Sequence, residues 1–268
     1  MILRELFNTS GFSLIEMLMV LILVGILSVS SIEYISGSLD ESRFDQTLLE
    51  MQAIQQAIVG NPDMKENGSR VSFGYFGDVG AMPATISDLI VKPASIAAWS
   101  IDNTRRMAYG WNGPYLVGGN SGTDYTTDGW GNSYVYSPAA SPPTLVSLGA
   151  DGLAGGTGYN QDITISFPAN ERLATVEGFA SDTGGPFAGA AEAEINYPDG
   201  TGGVTSSLDT DLSSENGHFS FSNIPFGVRS ISLYEPTKAG VNSQVGPIVI
   251  TIDSPNALVP SNLIDFNP

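Results

Sequence analysis

Four oxygen-bearing side chains, Ser147, Asp151, Thr157 and Asp162, fall in one glycine-rich stretch that runs from Ser147-Leu148-Gly149-Ala150-Asp151-Gly152 through Gly155-Gly156-Thr157-Gly158 to Asp162-Ile163. Carboxylates, hydroxyls and carbonyls on a backbone that can turn them inward are the donors a hard cation such as Ca²⁺ takes. The spacing is not that of an EF-hand loop. Asp and Gly are also the commonest turn residues, so these residues alone equally describe a solvated turn. A second acidic group, Asp209, Asp211 and Glu215, reads as a solvated loop.

Catalytic chemistry finds little support. His218 is the only histidine and cannot by itself build a His-ligated metal site. There is no Gly-x-Ser-x-Gly elbow, no phosphate-cradling Gly-x-x-x-x-Gly-Lys and no metalloprotease helix motif, and an enzyme is not expected. Cysteine is absent, which excludes disulfide frameworks, zinc–thiolate clusters and thiol catalysis. With 28 acids against 10 bases and a formal charge of −18, nucleic acid is not an expected partner, because no basic patch exists to displace phosphate counterions. High Gly and Pro content with few charges suggests an exported chain rich in turns and strands.

The one acid that stands out by its surroundings is Glu16. From Phe12 to Ile32 it is the only charge, and as a helix this run is about 30 Å long, the thickness of a hydrocarbon core. A charge in lipid costs a few kcal/mol and is normally kept only where it finds a partner. A secretory signal peptide explains the run poorly. The start, Met1 to Ser10, carries Arg4 beside Glu5, and the chain after Ile32 goes on as a helix instead of offering a cleavage site.

Gly11-Phe12-Ser13-Leu14-Ile15-Glu16 resembles the maturation signal of the type IV pilins and the pseudopilins of type II secretion. The resemblance implies cleavage by a prepilin peptidase between Gly11 and Phe12, methylation of the Phe12 amine, and pairing of Glu16 with that amine in the next subunit of a filament. It further implies a single-pass anchor in a bacterial inner membrane, with inner-membrane lipid, an assembly platform, and other copies and related pilins as partners. The globular parts would then stand in the periplasm, and the filament in the periplasm or at the cell surface.

Beyond the anchor, Ile35, Leu39, Leu48, Met51, Ile54 and Ile58 recur at three- and four-residue intervals, with a polar interruption from Asp40 to Asp45. The anchor therefore extends as an amphipathic stem, which Gly60-Asn61-Pro62 ends. Ile86 to Ile90 reads as a short helix or turn. Tyr134 and Tyr136 alternate with Ser133 and Val135, and Leu145 with Val146, which suits two antiparallel strands joined at Ser141 to Thr144. The blocks Gly110-Trp111-Asn112-Gly113-Pro114-Tyr115-Leu116, Asp128-Gly129-Trp130-Gly131-Asn132 and Ser147 to Asp162, in that order, are similar to the globular part of the major pseudopilin of type II secretion. That likeness implies a calcium site in the last block, with Asp151, Asp162 and Ser147 as its ligands. Gly129 departs from the pattern, which has proline before the tryptophan.

From Glu171 onward apolar and polar residues alternate strictly, as in Ala191, Ala193, Ile195 and Tyr197 against Glu192, Glu194 and Asn196. Phe219 and Phe221, Ile231 and Leu233, and Ile248, Ile250 and Ile252 continue the pattern. Turn signals at Asp199-Gly200 and Asn216-Gly217 complete the signature of an antiparallel sandwich with one apolar and one polar face. This part resembles a carboxypeptidase-regulatory or transthyretin-like β-sandwich. The expected fold is thus α+β: a leader over 1–11, a transmembrane and stem helix over 12–60 packed on a small antiparallel sheet, a pseudopilin-like domain over 61–168, and an all-β sandwich over 171–268. The expected function is that of a structural filament subunit supporting type II-like secretion. The alternative is a minor type IV pilin whose sandwich binds a surface or a cargo.

Overall fold

The structure is a computed structural model that describes residues 13–117, 125–182, 185–186, 191–210, 212, 216–234 and 244–260, of which 29–36, 182, 185–186 and 244 as backbone only. Gly11 and Phe12 lie outside the described residues, as do Asp211 and Glu215.

Helix α1 runs Leu14–Val59. Ser13 caps it in a reciprocal box, its hydroxyl accepting the Glu16 N–H at 3.3 Å while the Glu16 carboxylate accepts the Ser13 N–H at 3.4 Å. The helix ends where expected, at Gly60, whose N–H reaches the Gln56 carbonyl at 2.8 Å. Among the described residues no helix is long and apolar enough to cross a membrane. The apolar run has described side chains only from Ser13 to Ser28, about 24 Å of helix, so the expected span falls partly outside them.

The second half of α1 is the backbone of the head domain. Thr47, Glu50, Met51, Ile54, Ala57 and Ile58 form its buried stripe. The apolar members join one core with Tyr75 and Val79, Ile86 and Leu89, Leu116, Tyr134, Leu145 and Phe167. Around this core lie the hairpin β1 (Lys65–Glu66) and β2 (Ser69–Arg70), helix α2 (Gly74–Val79), the 3₁₀ turn Ile86–Leu89, and the hairpin β3 (Ser100–Asp102) and β4 (Met107–Tyr109). The expected strand pair appears as β5 (Val135–Ser137) and β6 (Thr144–Ser147), extended by β7 (Ile163–Ser166) into a three-stranded antiparallel sheet.

After the 3₁₀ turn Ala169–Glu171 the chain is all β: β8 (Leu173–Phe179), the short pair β9 (Ser181–Asp182) and β10 (Gly185–Pro186), β11 (Glu192–Pro198), β12 (Val204–Asp209), β13 (His218–Pro225), β14 (Gly227–Tyr234), β15 (Gln244–Ile252) and β16 (Asn256–Leu258). A four-stranded sheet β12-β11-β14-β15 and a three-stranded sheet β13-β8-β16 share a core of Val176, Ile195, Phe219, Phe221, Ile231, Leu233 and Ile252. The sandwich is not wholly antiparallel, since β16 runs parallel to β8.

The two domains are packed together. Phe73, just before α2, belongs to the sandwich core. The polar face of β11 and β14, expected to meet water, is instead covered: Asn196, Ser230 and Ser232 are buried, and β4 and α2 contact both strands. Arg105 donates from Nε to the Asn196 side chain at 3.1 Å across this seam.

Candidate functional site

The structure brings the chemistry-bearing residues of the head onto the middle of α1. Asp128 opens the turn Asp128-Gly129-Trp130-Gly131-Asn132. One carboxylate oxygen accepts the N–H groups of Trp130 at 3.0 Å and Asn132 at 2.9 Å, and the other accepts the Ser147 hydroxyl at 2.6 Å. Asn132 in turn donates its amide to the Gly149 carbonyl at 2.7 Å. Asp128 and Ser147 are both buried, so these charge-assisted bonds form where water competes least. They fasten the Gly-rich loop at its start.

The turn itself sits on the helix. Gly129 donates its N–H to the Thr47 hydroxyl at 3.0 Å, and Thr47 donates to the Arg43 carbonyl at 2.8 Å. A Cβ at position 129 would collide with the Arg43 carbonyl oxygen, which explains why glycine stands there. Trp130 donates from Nε1 to Asp40 at 3.2 Å, and its ring meets Phe44 edge-on, as does Tyr159 from the loop. One turn further along, Glu50 accepts Gln46 at 2.8 Å and the Tyr134 hydroxyl at 3.0 Å. Burial and the Glu50 charge push the Tyr134 pKa up.

Of the expected calcium ligands, Asp151 is exposed and accepts the Leu153 N–H at 3.0 Å, and Asp162 is half-buried and accepts the Gly155 N–H at 3.1 Å. Both carboxylates lie in one loop, closed by Ala150 N–H to Tyr159 carbonyl at 2.8 Å and Asp162 N–H to Gly155 carbonyl at 3.2 Å. Their donor chemistry is the all-oxygen set that calcium takes. Ser147 stands apart, bound to Asp128 and accepting the Gly149 N–H at 3.2 Å. Among the described residues no group of three or more His, Cys, Asp or Glu side chains gathers to hold a metal. Asp128 and Asn132 hold the start of this loop, a role the sequence reading did not give them. The signal was present in Asp and Asn flanking the tryptophan, an Asx-turn pattern.

His218 faces Phe179 across the β8–β13 pair with ring centroids 5.0 Å apart. Asp209 accepts the Ser220 N–H at 3.0 Å, so it belongs to the strands of the sandwich.

Everything before the head is different in kind. Leu14, Ile15, Met17 to Val24, Ile26 and Leu27 are exposed at 50% or more along α1, a contiguous apolar surface far larger than a monomeric domain leaves open. Residues 75–166 match the family model for type II secretion system (T2SS), protein G.

That stretch is similar to the type II secretion pseudopilin G family.

The type II secretion system core protein G of Xanthomonas campestris pv. campestris is 25% identical over 156 residues, which cover 58% of this chain and 87% of that protein. No solved structure matches the chain. The pseudopilin family is a structural component of a secretion system and not an enzyme family.

Proposed function

We propose that the chain is a pseudopilin subunit, matured between Gly11 and Phe12 by a prepilin peptidase, methylated at Phe12, and polymerised through α1 into a filament that serves type II secretion. The observation that carries this reading is the division of α1. Its second half is buried under the head, while Leu14 to Leu27 stand exposed, a surface that suits inner-membrane lipid first and the helices of sister subunits afterwards. In the isolated chain Glu16 returns to the Ser13 N–H; in the filament that carboxylate turns to the freed amine of a neighbour.

The head and sandwich then lie in the periplasm, and the filament acts mechanically on its export substrates. In the loop, Asp151 and Asp162 hold Ca²⁺ together with backbone carbonyls, and Ser147 fixes the loop's start through Asp128. Intact-mass measurement of the protein extracted from membranes tests the maturation: the expected species begins at Phe12 and carries one methyl group. A chain still beginning at Met1, or one lacking the whole apolar run, refutes the subunit role.

A second reading, a minor type IV pilin whose sandwich binds a surface or a cargo, is favoured by the sandwich lying outside the matched residues 75–166. Deleting 171–268 would strip the head of its cover at Phe73 and Gly77, so substitutions on the outward sheet discriminate better. Phe179 and Leu258 are exposed there. If Phe179→Ser with Leu258→Asp abolishes binding and leaves filaments intact, the sandwich is the binding module.

A further inference from the structure

We propose that the cavity at the seam between head and sandwich binds a small oxyanion, a phosphate or a carboxylate, with Arg70 as its direct ligand and Arg229 supplying charge from behind. The cavity measures about 290 Å³; Ser69, Arg70, Phe73 and Asp78 line it from the head, and Arg229 and Thr251 from the sandwich. Two of the chain's 10 basic residues thus meet in one hollow of a molecule whose formal charge is −18. Both are buried, Arg70 at 7% exposure and Arg229 at 2%. Among the described residues neither has a carboxylate within ion-pair distance.

Their donors are used unequally. Arg229 donates to the carbonyls of Pro225 at 2.9 Å, Val228 at 3.0 Å, Phe226 at 2.6 Å and Gly77 at 2.8 Å. Those dipoles take four of its five N–H groups, and Asp78 is the acid that acts on its charge. Gly227 makes this possible, since a Cβ there would come within 2.6 Å of the guanidinium. Arg70 donates from Nε to Ser72 at 2.7 Å and from Nη2 to the Val59 carbonyl, and its guanidinium carbon lies 5.1 Å from the Phe73 ring centroid. Its Nη1 has no partner among the described residues, and that nitrogen is not sealed off from solvent.

Asp78 is the one carboxylate on the lining, and it is engaged by the Tyr115 hydroxyl at 2.9 Å. Asp253, which is exposed, acts on Arg70 only at longer range. Two cations thus share the lining with one acid, and among the described residues neither makes an ion pair at contact distance. A buried charge without an ionic partner is costly, and an entering anion offsets that cost. The unpartnered Nη1 of the Arg70 guanidinium is the donor left for an oxyanion, and a charged one. Hydroxyls of Ser69 and Thr251, both exposed at the mouth, add neutral donors.

Thermal unfolding of the full-length protein in detergent tests the site. The probes are inorganic phosphate and a tripeptide with a free C-terminal carboxylate, run against chloride of equal ionic strength and against the amidated tripeptide. A saturable rise in Tm with phosphate alone identifies a free oxyanion; one with the free-acid tripeptide and not its amide identifies a chain terminus. Either result supports the site if Arg70→Gln and Thr251→Val each weaken the effect by about tenfold or more in concentration. No saturable shift with either probe, or an equal shift in the variants, overturns it. Thr251→Val carries the test alone should Arg70→Gln fail to fold.

Discussion

Arg229, on β14 of the sandwich, donates from Nη2 to the carbonyl of Gly77 in α2 at 2.8 Å, a bond that spans 152 residues of sequence. The same guanidinium holds three carbonyls of its own strand region, so one side chain closes both the Pro225–Gly227 bend and the domain seam. With Phe73 seated in the sandwich core as well, head and sandwich should melt together. Arg229→Ala leaves buried carbonyls without donors and is expected to destabilise by about 3 kcal/mol. Calorimetry of the wild type should show one transition for both domains, and of the variant a lower or divided one. Two independent transitions in the wild type would show that the seam does not couple them.

Asp78 gives this seam a pH dependence. Burial raises its carboxyl from 3.8 to about 6, opposed by the Tyr115 hydrogen bond and by the Arg229 charge. The folded chain therefore holds a proton that the unfolded chain releases between these values. Stability should be greatest below pH 4 as far as this group is concerned, and should fall as pH rises through about 6, by up to about 3 kcal/mol. In Asp78→Asn the denaturant midpoint should lose that slope, because the amide is neutral throughout. An unchanged slope between pH 4 and 7 would mean that Asp78 does not titrate as its burial implies.

Gly129 stands where the resemblance leads one to expect proline, and the contact that favours glycine lies in α1. Its N–H is the donor to Thr47 at 3.0 Å, and its α-carbon sits against the Arg43 backbone. Gly129→Pro removes the donor and forces the turn off the helix, with an expected loss of about 3 kcal/mol. Gly129→Ala keeps the N–H and should cost less, about 1 to 2 kcal/mol. Equal urea midpoints for wild type and both variants would refute the close approach.

Much of this was legible in the residues. The stem's end at Gly60, the turn at Ile86, the β5–β6 pair and the inward faces of β11, β13, β14 and β15 follow from period and turn chemistry. What escaped the pattern is what distant parts of the chain cover, within a domain or across the seam. Thr47 and Glu50 look like solvent positions, yet they are buried because Gly129 and Tyr134 satisfy them. Asn196, Ser230 and Ser232 alternate as an outer face should and are covered by β4 and α2. In β8 the apolar alternation of Ala174 and Val176 breaks at Gly178, because the Phe219 ring occupies the space a side chain there would need. No local signal encodes such long-range cover.

The Gly-rich loop provides the sharpest test of the metal proposal, because it separates the loop's anchor from its ligands. Asp128 ties three donors and is buried, while Asp151 uses one oxygen on a backbone N–H and leaves the rest of its carboxylate exposed. A cation bound at Asp151 and Asp162 stabilises only the folded loop, by about 2.7 kcal/mol when present at a hundred times its dissociation constant. Calcium should therefore raise Tm in the wild type, and chelator should reverse the rise. Asp151→Ala should start near the chelated wild-type value and respond to neither. Asp128→Asn should lower Tm in both conditions, since its loss weakens the Ser147 bond whether or not a cation is bound. If chelator leaves the wild-type melting curve where it was, the loop is a turn held by its own hydrogen bonds and the calcium assignment falls.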